Sequence, residues 1–155
     1  MGLFDSIFGK RKLTPGERQF VQRQSQIMVN CIKIFSETDN IETFFSRYAL
    51  AEKTTLLIAE AVGGDTKCMA GNSATPNECY QMFQDEKVAH TNNFLSRYIQ
   101  KETVKILKLS RGQIKKANSV AAIIDEYADQ MPKESLEFGH NLCEKMIKKI
   151  EKVVG

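Results

Sequence analysis

Cationic side chains recur at helical spacing in the second half of the chain. The first four are separated by four, four and three residues, so they would share one side of a helix. The set continues past a glycine and comprises Arg97, Lys101, Lys105, Lys108, Arg111, Lys115 and Lys116. Between 97 and 116 the only acidic residue is Glu102. Such a face is suited to the phosphates of nucleic acid or to another anionic ligand, although ordinary solvated helix faces are also charged.

Two observations limit the nucleic-acid interpretation of this basic face. Only Phe94 and Tyr98 are placed to reach past the cations and stack on bases. A group of acidic residues could also neutralise the face, within the bundle or between copies of the chain: Asp125, Glu126, Asp129, Glu134 and Glu137.

The N-terminus offers a second candidate surface, in which large apolar residues precede a cluster of cations. The apolar residues share one face of a two-turn helix, and the surface as a whole comprises Leu3, Phe4, Ile7, Phe8, Lys10, Arg11 and Lys12. Apolar side chains beside cations are typical of a segment that contacts an anionic membrane or a partner. Two alternatives stay open. The segment could cover an apolar groove of the bundle, or Gly2 could be myristoylated in a eukaryotic host, since Met-Gly-x-x-x-Ser fits that pattern.

Residues that could carry out catalysis form no complete set. Gly63-Gly64 lacks the Lys-Ser/Thr of a phosphate-binding loop and is better explained as a helix stop. Glu137 and His140 form a single Glu-x-x-His pair, whereas a di-iron bundle needs two such pairs and two further glutamates. We therefore favour a chain that is not an enzyme, and we expect no cofactor.

The cysteines and histidines do not suggest a metal site. Cys68 and Cys79 could approach each other with His90 as a distant third ligand, but tetrahedral sites need tight spacing. Cys31 and Cys143 lie on apolar stripes, which predicts small core residues. No export signal or membrane-spanning run is present. We expect free thiols, no bound metal and a cytoplasmic location, with peripheral contact at a membrane through the N-terminal segment.

Helix start signals divide the sequence into consecutive elements. Thr14-Pro15-Gly16-Glu17 is a capping box with proline at the first helical position, and it predicts a helix over 15–37. Asp39 with Glu42 repeats the signal for a helix that stops at Gly63-Gly64. Ser110 with Gln113 predicts another start, and Pro132 opens the last helix, which carries heptad-spaced apolar residues.

The longest helical pattern runs from Thr75-Pro76-Asn77-Glu78 to about 109, which would make a helix of about 51 Å. Such a length exceeds the width of a compact chain of this size. Three poor helix formers follow His90 within 90–93, so we predict a kink or break there.

One internal similarity crosses this region. The stretch 44–48 followed by Glu52 matches 94–98 followed by Glu102, at an offset of 50 residues in both. Either a helical unit is duplicated or two amphipathic helices agree by chance. A duplication would align Asn40 with His90 and so support a boundary near 90.

Length and composition fit these elements together. The chain has 155 residues and a formal charge of +3, and its content of Leu, Ile, Val and Phe is sufficient for a core. No stretch alternates with period two, so we predict no sheet. The expected fold is an all-α antiparallel bundle of five or six helices over 14–155, preceded by an amphipathic segment over 1–13.

The expected function is a non-enzymatic interaction module that binds a protein partner or itself. An anionic membrane surface is the further partner expected for the N-terminal segment. Nucleic-acid or anionic-ligand binding through 97–116 is the first alternative, and a small ligand held between helices is the second.

Overall fold

The computed structural model describes residues 12–154, which contain six α-helices and one short 3-10 helix. They are α1 (Pro15–Glu37), α2 (Ile41–Val62), α3 (Pro76–Asp85), α4 (Lys87–Leu107), α5 (Gln113–Glu126), the 3-10 helix (Ala128–Gln130) and α6 (Lys133–Val154). Over these residues Met69 and Ala74 form an isolated bridge, and there is no strand. The predicted all-α helical bundle is confirmed.

Two of the predicted capping boxes form as expected. The Thr14 hydroxyl accepts from the Glu17 amide at 3.1 Å, and the Glu17 carboxylate accepts from the Thr14 amide at 2.9 Å. Thr75 and Glu78 form the same reciprocal pair at 3.1 and 2.9 Å. Each pair satisfies two amides that the first helical turn would otherwise leave without a partner.

The other two predicted capping pairs, Ser110 with Gln113 and Asp39 with Glu42, do not supply the caps of α5 and α2. Gly112, with φ of 76°, immediately precedes α5 and makes no side-chain cap. Ser110 is therefore two residues away from the cap position and cannot serve it. Before α2, the Asn40 amide donates to the Thr38 hydroxyl at 3.1 Å, while Asp39 pairs with Lys101.

The long helical pattern is interrupted at Glu86, and the break predicted at 90–93 is wrong. α3 ends at Asp85 and α4 begins at Lys87. The Tyr48 hydroxyl donates to the Phe83 carbonyl, which a continuing helix would offer to the amide of residue 87. Thr91 is 1% exposed inside α4, so burial outweighs the weak helix propensity of 90–93.

The described residues divide into two compact units, of which the N-terminal unit holds 12–37 and 42–85. Phe35 near the end of α1 packs on Tyr48 near the start of α2, with ring centroids 4.7 Å apart. Phe83 near the end of α3 contacts both rings. The start of α2 therefore lies beside the ends of α1 and α3, and the three aromatic rings pack together at that point of the unit.

The C-terminal unit holds 38–41 and 86–154, with α4, α5 and α6 packed on one another. A Cβ at Gly139 would lie 3.2 Å from Leu95 and 3.5 Å from Ile124, so glycine permits close packing of α6 on both other helices. Asp125 near the end of α5 pairs with His140 in the first half of α6, which makes these helices antiparallel. Position 139 of α6 adjoins Leu95 of α4, and the residues with which the two helices line a common groove follow at 142–149 and 96–107, so α6 and α4 run in the same direction.

The sequence predicts an N-terminal segment over 1–13 ahead of the helical bundle. Of this segment only residues 12 and 13 are among the described residues. The single domain expected for 14–155 stays a prediction.

The internal similarity has a matching burial pattern but no matching boundary. Phe44 and Tyr48 are buried in α2, as Phe94 and Tyr98 are in α4. The two helices begin at 41 and 87, a separation of 46 residues instead of 50, so the boundary that a duplication would place near 90 is not found.

Alkaline pH should destabilise the C-terminal unit through two of its core groups. Burial raises the pKa of Tyr98 from 10.0 to about 12 and that of Cys143 from 9.0 to about 11. The unfolded chain therefore loses these protons first. The free energy of unfolding should be constant just below pH 9 and then fall by about 1.4 kcal/mol per pH unit for each group between its unfolded and folded pKa.

Urea unfolding at pH 8 to 11, followed by circular dichroism, measures this fall. The Tyr98→Phe and Cys143→Ala variants should each show a shallower decline than the parent chain. If the free energy of unfolding falls as steeply in both variants as in the parent chain, Tyr98 and Cys143 are not the groups responsible for the fall.

Candidate functional site

Arg97, the first member of the basic face, is engaged within the C-terminal unit. Its Nε and Nη2 donate to the Thr38 carbonyl at 3.3 and 3.1 Å. Its guanidinium also lies 5.9 Å from the centre of the Phe94 ring, a favourable position for a cation. Arg97 therefore holds the 38–41 segment against α4, and its donors are directed inward.

The next two cations also have acidic neighbours. Lys101 Nζ lies 2.7 Å from Asp39, and this hydrogen bond lowers the pKa of the Asp39 carboxyl. Lys105 Nζ lies 4.0 Å from Glu102. The face that the spacing predicts is thus compensated along its first half.

The remaining cations of the basic face are exposed and belong to the end of α4 and the start of α5. They are Lys108, Arg111, Lys115 and Lys116. Phe94 and Tyr98, the two aromatics considered for base stacking, are buried. The structure therefore offers cations on this face without an exposed aromatic ring from those two residues.

The N-terminal surface cannot be located in the same way. Leu3, Phe4, Ile7, Phe8, Lys10 and Arg11 lie outside the described residues, and Lys12, the one member inside them, is exposed. The role of this surface stays a prediction.

A groove that the sequence analysis did not identify lies between α4 and α6. It has a volume of about 320 Å³, a buried floor, half-buried walls and an exposed rim. The floor is Ile99, Thr103 and Met146, the walls are Leu107 and Leu142, and the rim is Ser96, Gln100, Val104, Lys145 and Lys149. We call it the α4–α6 groove.

The α4–α6 groove is apolar at its base and basic at its edge. The one polar floor group, the Thr103 hydroxyl, donates to the Ile99 carbonyl at 2.6 Å, so it satisfies its own donor. Among residues 12–154, no carboxylate lines the groove. Val104 is 48% exposed at the rim, and Leu109, in the turn that follows α4, is 42% exposed. Val104 lines the groove together with the half-buried Leu107 and Leu142, and adjoining apolar side chains that stay accessible favour a contact surface.

One sequence signal could have revealed this groove. Position 104 falls on the polar side of α4, between Gln100 and Lys108, yet it carries valine. Lys145 and Lys149 follow Leu142 at spacings of three and four on α6, which places cations beside an apolar residue on one face. Pairing these faces required knowing that α4 and α6 run side by side.

A second groove, of about 550 Å³, lies in the N-terminal unit between α1 and the 63–75 loop. Its lining includes Leu13, Val21 and Val29 but also Arg18 and several amide side chains. The mixture of polar and apolar groups gives it no continuous apolar floor.

The cysteines and histidines that were considered as metal ligands lie apart from one another or are packed in the core. All four cysteines are free thiols, and Cys31 and Cys143 are core residues as predicted. His140 Nε2 lies 2.5 Å from Asp125. Among residues 12–154, no three His, Cys, Asp or Glu side chains cluster in a geometry that could hold a metal ion.

Comparisons with known proteins add no relationship. No family model matches the chain, and neither the curated proteins nor the solved structures give a match. Within the described part of the chain, no helix combines the length and apolar character needed to cross a membrane.

The inward role of Arg97 predicts a contrast with Lys108. Arg97→Ala should lower the free energy of unfolding by about 1–3 kcal/mol, because it removes charged donors from a carbonyl that they satisfy. Lys108→Ala should change it by less than about 0.5 kcal/mol, as expected for an exposed side chain. Urea unfolding of both variants checks this, and equal losses would argue against the structural role of Arg97.

Proposed function

We propose that this chain is a non-enzymatic interaction module whose C-terminal unit binds a protein partner in the α4–α6 groove. The observation that supports this proposal is apolar surface left partly open to solvent along the groove, where Val104 is 48% exposed and Leu107 and Leu142 are half-buried. Unburied apolar surface of this kind gains free energy when a partner covers it.

The dimensions of the groove favour a helical segment over a small molecule. Along α4 the lining runs from Ser96 to Leu107, a rise of about 16 Å, or three helical turns. A small-molecule site usually has a few polar groups that converge on the ligand, whereas the floor hydroxyl of Thr103 is already bonded. An amphipathic helix laid in the groove needs apolar anchors alone at the floor.

A designed helical peptide tests whether the groove binds such a segment. The probe is a neutral peptide of about 14 residues, with leucines at i, i+3, i+7 and i+10 and glutamine or alanine elsewhere, long enough to span about 16 Å. Added to the methyl-labelled full chain, it should shift the NMR signals of Val104, Leu107, Leu142 and Met146.

Val104→Glu should weaken this binding by about tenfold or more, because the peptide would bury a carboxylate among apolar groups. Leu56→Glu is the matched control, since Leu56 is 49% exposed and belongs to α2. Binding that survives Val104→Glu unchanged, or methyl shifts confined to other sites, would contradict the proposal.

We also propose that the N-terminal segment gives the module peripheral contact with anionic membranes, with Leu3, Phe4, Ile7 and Phe8 entering the headgroup boundary and Lys10, Arg11 and Lys12 facing anionic lipid. The sequence pattern alone supports this part of the proposal. We do not propose nucleic-acid binding by the basic face, because Arg97, Lys101 and Lys105 have partners within the C-terminal unit.

Deleting residues 1–12 should abolish sedimentation with phosphatidylserine vesicles and should leave the melting temperature nearly unchanged. Vesicles of phosphatidylcholine alone are the control, since they lack the anionic charge. A segment that instead covers the bundle would bury two phenylalanines, worth roughly 1.5–3 kcal/mol each. A melting temperature lowered by several degrees with unchanged vesicle binding would therefore contradict membrane contact.

A further inference from the structure

We infer that the partner bound in the α4–α6 groove is an amphipathic helix whose polar flanks are acidic. This inference rests on the proposed function and adds the chemistry of the partner. It is carried by the charges around the groove, which are all of one sign among its lining residues.

Lysines border the groove on its α6 side and continue beyond it. Lys145 and Lys149 belong to the rim, and Lys152 follows one turn later, exposed like the other two. Lys108, the residue that follows α4, is exposed one turn beyond Val104. Because α4 and α6 run in the same direction, Lys108 lies toward the same end of the groove as Lys149. Cations therefore stand on both helices at that end.

The acidic residues of these helices do not cancel this charge in the groove. Asp39 and Glu102 pair with Lys101 and Lys105, which are not among the lining residues. Glu144 and Glu151 belong to α6 but do not line the groove either. Within the described residues neither Lys145 nor Lys149 has an ion-pair partner. A ligand in the groove would meet an uncompensated positive rim.

The floor and the rim together define the complementary segment. Apolar side chains at i, i+3 or i+4 and i+7 would pack on Val104, Leu107 and Leu142, which keep accessible surface above the buried floor. Glutamate or aspartate on the flank facing α6 would lie near Lys145 and Lys149. Opposite charges at the rim fix the orientation of a helix and exclude basic competitors.

The shape of the site favours this partner over a membrane or a nucleic acid. A bilayer surface is broad and cannot enter a recess between two helices, whereas the side chains along one face of a helix can. A phosphate backbone would meet the lysines but would leave Val104, Leu107 and Leu142 uncovered. Apolar anchors on a helix would cover these side chains as well.

Three fluorescent peptides with the same leucine positions test the inference on the full chain. One carries glutamate on both flanks, one glutamine and one lysine, and affinities are measured by anisotropy at low and high salt. Two partly exposed ion pairs should make the glutamate peptide bind roughly twofold to thirtyfold more tightly than the glutamine peptide. The lysine peptide should bind most weakly, and added salt should reduce both differences.

Charge reversal of the rim provides the sharper comparison. In the double variant Lys145→Glu with Lys149→Glu, the order of the peptides should invert, with the lysine peptide tightest. Lys148→Glu is the matched control, because Lys148 is exposed on the same helix and does not line the groove. The parent preference should persist in that variant. Circular dichroism confirms that each variant keeps its helical content.

The outcomes separate this inference from the proposed function. A glutamine peptide that binds in the groove with no advantage for glutamate, or an order that the double variant leaves unchanged, overturns the acidic partner and leaves the interaction module standing. Failure of all three peptides to shift the groove methyls overturns both. In a further outcome, a labelled DNA duplex or phosphatidylserine vesicles bind at the same rim lysines and no peptide binds. That result would also overturn the inference and show that the surface binds phosphate groups.

Discussion

The end of α3 is the constraint on which the arrangement of the later helices depends. Tyr48 in α2 donates its hydroxyl to the Phe83 carbonyl, a group that a continuing helix would use for its own ladder. The interruption follows at Glu86, and the two compact units divide at the same point. α4 begins as a separate helix at Lys87. The α4–α6 groove is lined by this separate helix and by α6.

Much of the fold could be predicted because the deciding interactions are local. The boxes at Thr14 and Thr75 link residues three apart, so the sequence contains both partners. The break at Glu86 could not be found in this way, since Tyr48 lies 35 residues from Phe83. Local propensity pointed to 90–93 instead, where burial of Thr91 holds the helix together.

The candidate site was less predictable for the same reason. Spacing alone grouped Arg97 with Lys101 and Lys105, but it could not show that the Thr38 carbonyl and Asp39 take up the first two. Those contacts depend on where the 38–41 segment lies. The α4–α6 groove needs residues from two helices some 40 positions apart, whose adjacency no pattern within either helix reveals.

The central claim is that a helix with acidic flanks binds between α4 and α6. A crystal structure of the full chain with the glutamate-flanked peptide tests it most directly. The account predicts a helical peptide with its leucines on Val104, Leu107 and Leu142 and its carboxylates within 4 Å of Lys145 and Lys149, about the reach of an ion pair. A peptide bound elsewhere on the chain, or an empty groove beside a peptide held at Lys115 and Lys116, would contradict it.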